Sequence, residues 1–211
     1  MVEHISYARV KSDTESAQSY SHRKQGKHEQ EMAMLAAAFA HTDSVHTVLD
    51  APCGVGRASI WLAQQGRVVT GIDLGEAALA LAGELAAKEG VAVTFESQDI
   101  FAMPYSDAQF DATLCFRLLH HFESESLRER LIAEICRVSG RYVVISRISP
   151  LSFTSLRRRL RKLFSGKPIK QYPLTAAALD AALARHGFTP VYRVARSELL
   201  HSLQLHVYRR K

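Results

Sequence analysis

Two acidic residues that end short apolar segments are the first candidates for chemistry in this sequence. Asp50 follows the apolar run 47–49, and Asp73 ends the segment 66–73 one strand-helix-strand step later. That spacing predicts two neighbouring parallel strands, whose carboxyl ends lie at the same edge of a sheet. A carboxylate at this edge can accept hydrogen bonds from both hydroxyls of a ribose. Asp73 is therefore our strongest candidate for contact with a nucleoside.

A glycine loop follows the first acid. Gly54 and Gly56 precede helical spacing at Ile60, Leu62 and Ala63, which predicts a strand, a tight loop and a helix. Glycine lets the backbone take positive φ and lets a ligand come close, and the N–H groups at the helix start suit an anionic group. The loop fits neither the G-x-G-x-x-G fingerprint nor a P-loop. A tight turn without a ligand is the alternative interpretation.

This segment resembles motif I of the class I S-adenosylmethionine-dependent methyltransferases, although Pro52 stands where that family usually has its first glycine. The resemblance implies S-adenosylmethionine as cofactor and S-adenosylhomocysteine as product. It also implies that Asp99 receives the adenine amino group and that Ile100 packs on the ring. The cofactor-binding residues that we predict are Asp50, Ala51, Gly54, Gly56, Arg57, Asp73, Leu74, Asp99, Ile100, Phe116 and Arg117.

The predicted fold is α/β, with a doubly wound, mostly parallel seven-stranded sheet and helices on both faces. The resemblance spans residues 45–211 and implies the strand order 3-2-1-4-5-7-6, with strand 7 antiparallel. Segments 188–195 and 201–209 predict the terminal pair of strands. We expect residues 45–211 to form the methyltransferase domain, residues 1–44 to form an N-terminal arm and helix that could cover the cofactor, and residues 150–170 to form a basic amphipathic insertion after strand 5.

His120 and His121 are the candidate catalytic residues, because they follow the fourth predicted strand at its carboxyl end. A histidine can remove a proton near neutral pH, as methylation of an oxygen requires. O-methylation is thus slightly favoured over N- or C-methylation. Each histidine could equally be a loop residue bonded to the backbone. The chain lacks the Asn/Asp-Pro-Pro-Tyr sequence of amino-methylating nucleic-acid enzymes, and Cys115 lacks the Pro-Cys context of cytosine-C5 enzymes. These absences disfavour nucleic-acid acceptors, so no DNA is expected, and the resemblance to the small-molecule branch of the family implies a small-molecule or lipid-linked acceptor.

The N-terminal arm and the basic insertion supply the candidates for substrate contact, namely Tyr20, Arg23 and Arg157. Residues 151–164 combine an apolar helical face with a cluster of arginines, which is typical of a contact with an anionic membrane surface. A helix docked on its own domain, a cap over an acidic substrate and an RNA contact are the alternatives. Two other function classes stay open: a basic membrane- or RNA-binding module, and a non-catalytic scaffold that binds S-adenosylmethionine.

The composition is that of an ordinary soluble domain, with 47% apolar and 23% charged residues in 211. No run approaches the roughly 20 apolar residues of a membrane span, and the polar N-terminus lacks the apolar core of a secretory signal. We therefore expect a cytoplasmic protein, with peripheral contact to the inner membrane surface through its basic segment. Three scattered cysteines and the histidine spacing predict neither a disulfide framework nor a metal site.

Overall fold

Seven strands form one sheet in the computed structural model, which describes residues 25–155, 157, 171–195 and 202–211. The order is β3-β2-β1-β4-β5-β7-β6, and β7 runs antiparallel to both β5 and β6. This confirms the predicted sheet. The strands are β1 (Thr47–Asp50), β2 (Val68–Asp73), β3 (Thr94–Ser97), β4 (Phe110–Cys115), β5 (Ser139–Ile148), β6 (Phe188–Ala195) and β7 (Leu203–Arg210).

Five helices of two turns or more lie within the described residues and cover both faces of the sheet. Leu35 and Leu62, from the first two helices, share one core with Val48. Ile135 and Leu183, from the last two, pack in a second core with other strand residues. The helices are α1 (Gln25–Phe39), α2 (Arg57–Gln64), α3 (Glu76–Lys88), α4 (Glu125–Val138) and α5 (Ala176–Ala184).

Local sequence signals fix several of these boundaries. Ser124 Oγ accepts a hydrogen bond from the N–H of Leu127 at the start of α4, and Thr175 Oγ accepts one from Ala178 at the start of α5. Gly90, with φ of 67°, follows α3, and the N–H of Val91 donates back to Ala86 O. This Schellman motif ends α3, and β3 begins three residues after Val91, at Thr94.

The register of the parallel strands brings their carboxyl ends together. Asp50 at the end of β1 lies opposite Gly71 of β2 and Leu114 of β4, and Asp73 at the end of β2 lies opposite Ser97 of β3. The segments that follow β1, β2, β3 and β4 therefore emerge along one edge of the sheet. In open α/β sheets this edge is where ligands bind.

Helix α1 packs against β6 and β7 and so extends the core beyond the predicted domain start at residue 45. The division into an arm and a domain stays a prediction, since residues 1–24 lie outside the described part. None of the described helices is long and apolar enough to cross a membrane.

Candidate cofactor and active site

The glycine loop between β1 and α2 takes the predicted backbone conformation. Gly54 and Gly56 have φ of 55° and 73°, and the Ala51–Pro52 peptide bond is cis. A Cβ on Gly56 would lie 2.8 Å from the ring of Phe95 and 2.9 Å from Ala82 Cβ, so only glycine fits there. A Cβ on Gly54 would meet no atom within 4 Å. The loop is thus tightly packed behind Gly56 and open in front of Gly54.

Asp73 connects this loop to the end of β2. Its Oδ2 accepts the N–H of Gly54 at 2.9 Å, and its Oδ1 accepts the N–H of Gly75 at 3.0 Å. Each carboxylate oxygen offers about two lone-pair sites, so both retain capacity for a ligand hydroxyl. The neighbouring Leu74 is 38% exposed at the same edge. This geometry suits the predicted ribose contact.

Asp50 is buried beneath the loop, where its Oδ2 accepts a 2.6 Å hydrogen bond from Ser59 Oγ. Burial raises the pKa of this carboxyl to about 7, and Asp73 adds to the rise, while the hydrogen bonds from Ser59 oppose it. The neighbouring Ala51 is also buried, and its N–H donates to Leu114 O. Asp50 therefore lies beneath the glycine loop, and its hydrogen bond with Ser59 links it to the first turn of α2.

Asp99 and Ile100 follow β3 at the same edge. Asp99 is exposed, and its Oδ1 accepts the N–H of Phe101 at 2.9 Å, as in an Asx turn. Ile100 is buried in the core with Leu49 and Ile72. The exposed carboxylate is available to a ligand, and the adenine roles of both residues stay predictions.

The segment after β4 carries the remaining predicted residues. Phe116 is half-buried against the α1–α2 core, and Arg117 has a φ of 66°, with its N–H donating to Ser146 Oγ at 2.6 Å. His120 is buried on a 3-10 turn, Leu119–His121, and His121 is half-buried with its ring centroid 4.4 Å from that of His120. The carbonyl of His120 accepts the N–H of Tyr172, which ties the turn to the segment before α5.

Glu31 on α1 contacts two of the predicted cofactor residues, and the sequence patterns did not indicate these contacts. Its buried carboxylate pairs with Arg57 Nη2 at 3.1 Å and with Arg117 Nη1. Arg57 also contacts His28 Nδ1 at 3.3 Å. Two predicted cofactor residues are thereby joined to one acid of the N-terminal helix, 26 and 86 residues away along the chain.

A second polar cluster that the sequence did not indicate lies at the end of β5. Arg147 Nε donates to His206 Nε2 at 2.9 Å, and its other nitrogens donate to Leu174 O and Gln204 Oε1. Burial, together with the nearby Arg147 charge, lowers the pKa of His206 to about 3, so His206 accepts as a neutral ring. The cluster holds the segment before α5 against the sheet.

The predicted substrate contacts stay predictions, and among them Arg157 alone belongs to the described residues. Tyr20 and Arg23 lie outside the described part of the chain, as does most of the predicted insertion 150–170. Arg157 is described and exposed. Near it, Leu151 is 90% exposed and Phe153 is 61% exposed.

The cysteines are free thiols, and burial raises the pKa of each, to about 12 for Cys136. Cys115 is fully buried within β4. No group of three or more metal-ligating side chains occurs among the residues that the structure describes.

Comparison with known proteins finds methyltransferases that are similar to this chain in sequence. The methyltransferase domain family matches residues 48–140. A ubiquinone biosynthesis O-methyltransferase of Pseudomonas paraeruginosa is 44% identical over 79 residues, which are 36% of this chain and 33% of that protein. The chloroplastic magnesium protoporphyrin IX methyltransferase of Arabidopsis thaliana is 28% identical over 148 residues, 67% of this chain and 46% of that protein. The matched region thus spans less than half the length of these curated relatives.

A solved structure has the same fold. The magnesium protoporphyrin IX methyltransferase of Synechocystis PCC 6803, crystallised with bound S-adenosylhomocysteine, superposes with a TM-score of 0.74 at 21% identity, covering 87% of this chain and 84% of that one. Residues 48–140 are thus similar to the methyltransferase domain family, and they lie in a sheet with the strand order of the Rossmann-like methyltransferase fold.

Proposed function

We propose that this protein is an enzyme that transfers a methyl group from S-adenosylmethionine to a small-molecule acceptor. The observation that carries the proposal is the bond between Asp73 and Gly54, beside the open space in front of the loop. A ribose needs a carboxylate with spare lone pairs, and a sulfonium-bearing chain needs room near the glycines. Both are present at the carboxyl edge of β1 and β2.

The cofactor, when bound, supplies a methyl group that its sulfonium already makes electrophilic. The work left to the protein is to place an acceptor in line with that methyl group. Asp73 would accept the ribose hydroxyls, and Asp99, exposed after β3, would accept the adenine amino group. The turn that carries His120 and His121 leaves β4 beside β1 and would face the acceptor side.

Within this function, O-methylation is the reaction that we favour. The two histidines are on one turn with their ring centroids 4.4 Å apart, and since the acceptor loses a single proton, one imidazole at most would take it. His121 is the more exposed of the two. The similar ubiquinone biosynthesis protein is named an O-methyltransferase, which favours the same chemistry.

We further propose a cytoplasmic location with peripheral contact to an anionic membrane surface, which would suit a lipid-linked acceptor. Leu151 and Phe153 expose apolar side chains close to the end of β5. From residue 150 to residue 170 the sequence has seven lysines and arginines and no acid, so this stretch alone exceeds the chain's net charge of +6. Exposed apolar groups beside such a run suit insertion at the headgroup boundary.

The function is tested by calorimetry with S-adenosylmethionine and S-adenosylhomocysteine, followed by incubation of the protein with methyl-labelled cofactor and metabolite and lipid extracts. We expect saturable binding and a labelled small molecule. Absence of binding would refute the cofactor assignment, and binding without any labelled product would favour the scaffold alternative.

The base is tested with the labelled acceptor at saturating cofactor. We expect either His120→Ala or His121→Ala to lower kcat, with the larger loss on the alkaline side of neutrality, where the imidazole of the wild type is unprotonated and can act as a base. Full turnover in both variants would exclude this pair as the base.

The membrane contact is tested by sedimentation with vesicles of phosphatidylcholine alone or mixed with phosphatidylglycerol. We expect binding to the anionic vesicles only and its loss in Leu151→Ser/Phe153→Ser, while Val191→Ser, which removes an exposed apolar group on β6, binds as the wild type does. Equal binding by the double variant, or binding to RNA instead of vesicles, would refute the contact.

A further inference from the structure

A cleft of about 290 Å³ lies at the amino edge of the sheet, opposite the edge that carries the glycine loop. Its lining comes from the segment before β4, the end of α4, the segment between α5 and β6, and the end of β7. The ten residues of β5 run from this edge to the carboxyl edge, so the two edges are about 30 Å apart. A molecule in the cleft is therefore separate from a cofactor at the glycine loop.

Arg210 lines this cleft and has hydrogen-bonding capacity that the fold does not use. Its Nε donates to Gly140 O at 3.2 Å, and its Nη2 donates to Cys136 O at 2.7 Å and to Ser139 O at 2.6 Å. These bonds occupy three of the five N–H groups of the guanidinium, which also lies 4.5 Å from the ring centroid of Phe188. The N–H groups of Nη1 have no acceptor among the described residues, and none of the described carboxylates pairs with this arginine.

Arg137, the other arginine of the cleft, is saturated. Its nitrogens donate to the carboxylates of Glu134 and Asp107 and to the carbonyls of Met103 and Tyr105. These five bonds use all five N–H groups of the side chain. Of the two guanidinium groups, the one of β7 is therefore the one that can bind a further acceptor.

His186 brings a second donor to the cleft. The residue is half-buried between α5 and β6, and its ring makes no hydrogen bond with the residues that the structure describes. A neutral imidazole carries one N–H and a protonated imidazole carries two, so the ring can donate in either state. An acceptor in the cleft would thus meet both a guanidinium and an imidazole.

The remaining groups of the lining decide which anion fits. Ala108, Ala133 and Cys136 contribute small side chains, and burial raises the pKa of the thiol to about 12, so it is uncharged at neutral pH. Asp107 adds a carboxylate whose side chain is 81% exposed. A doubly charged phosphate ester would be repelled by this acid, whereas a singly charged carboxylate is repelled less. The volume is near the lower end of the roughly 300–1,000 Å³ of small-molecule sites, so the ligand is small.

We propose that this cleft is a second ligand site, which binds a small organic carboxylate through Arg210 Nη1 and the ring of His186. One carboxylate oxygen accepts from the guanidinium and the other accepts from the imidazole, and the apolar part of the ligand lies on Ala133 and Cys136. Hydrogen bonds to an ionised acceptor are stronger than those between neutral groups. The site goes beyond the proposed methyl transfer and does not depend on it.

Benzoate is the probe for this site, with its uncharged isostere benzamide and inorganic phosphate as comparisons. Each compound would be titrated into the full chain, and the backbone amides would be followed by two-dimensional NMR. We expect benzoate to shift the amides of Ala108, Gly140 and His186 saturably and to leave those of Gly54 and Gly75 unchanged. Benzamide and phosphate should give no saturable shift.

Two variants test the two donors. His186→Ala removes the imidazole, and Arg210→Lys keeps the positive charge at the end of α4 but removes the planar guanidinium with its Nη1. Each should weaken benzoate binding at least about tenfold, as expected for loss of a hydrogen bond to a charged group. His46→Ala is the matched control, since this histidine is exposed at the same edge, just before β1, and it should bind benzoate as the wild type does.

Four results would overturn the proposal. Equal binding of benzoate and benzamide would show that the cleft does not recognise charge, and binding of phosphate without benzoate would assign it to another anion. Shifts centred on the glycine loop would place the probe at the cofactor edge. Absence of saturation, or unchanged affinity in the variants, would show that water alone solvates Arg210. His186→Ala decides by itself if Arg210→Lys does not fold, because the histidine holds no other element through its side chain.

Discussion

Asp73 and Gly54 are joined by a 2.9 Å hydrogen bond, in which the N–H of the glycine donates to Oδ2 of the acid. The bond links the end of β2 to the loop that follows β1, 19 residues earlier in the chain. A single carboxylate thus fixes the loop conformation and presents its remaining lone pairs to the open side. Substitution of Asp73 should therefore affect ligand binding and loop stability together.

Asp73→Ala should weaken binding of S-adenosylhomocysteine by about 1.5–3 kcal/mol, because it removes a charged hydrogen-bond acceptor. Calorimetry at one pH and salt concentration measures this change. Asp43→Ala is the control, since Asp43 is exposed before β1, at the opposite edge of the sheet. Unchanged affinity in Asp73→Ala would remove this residue from the ribose site.

The sheet and the glycine loop could be predicted from sequence because their signals are local. Asp50 and Asp73 stand directly after apolar runs, and Gly54 and Gly56 stand in the intervening turn. Strand order then followed from family resemblance, and the structure confirms it. Ser124 likewise caps its helix through a residue three positions away, within reach of any local pattern.

Glu31 could not be found in the same way. Its partners lie 26 and 86 residues away, and only the packing of α1 on the sheet brings them together. His206 and Arg147 are separated by 59 residues and meet because β5 pairs with β7. In sequence each of these residues is one polar side chain in an amphipathic or alternating segment, with no spacing that marks it.

Gly56→Ala should destabilise the protein more than Gly66→Ala. Both glycines have positive φ, 73° and 80°, so both variants lose about 1–2 kcal/mol from backbone strain. At Gly56 the new methyl would also press on Phe95 and Ala82, which adds about 1–3 kcal/mol of overpacking, whereas at Gly66 it meets no atom within 4 Å. Urea unfolding of both variants measures the difference, and equal losses would contradict the tight packing behind the loop.

Asp50→Asn should change how stability depends on pH. The folded-state pKa of Asp50 is about 7 and its ordinary value is 3.8, so between these values the folded chain holds a proton that the unfolded chain has released. The contribution of Asp50 to the free energy of unfolding is therefore fully present below about pH 4 and is lost as the pH rises to about 7. Relative to Asp50→Asn, the wild type should therefore lose stability between pH 5 and pH 7.5. Urea midpoints at several pH values test this, and parallel curves would mean that Asp50 ionises normally.

His206→Gln should also change how stability depends on pH, because the wild-type histidine makes the folded chain less stable as the pH falls. Gln can still accept from Arg147 but cannot be protonated in this range. The pKa of His206 is about 3 in the folded chain and 6.5 ordinarily, so between these values the unfolded chain binds the extra proton. The wild type should accordingly lose stability as pH falls below about 6.5, by up to about 1.4 kcal/mol for each pH unit, and His206→Gln should lose less. Urea unfolding from pH 7.5 to pH 5 measures this slope, with the exposed His46→Gln as control. A wild-type slope equal to that of His206→Gln would mean that the ring gains its proton in the folded protein, and Arg147 would then need another acceptor.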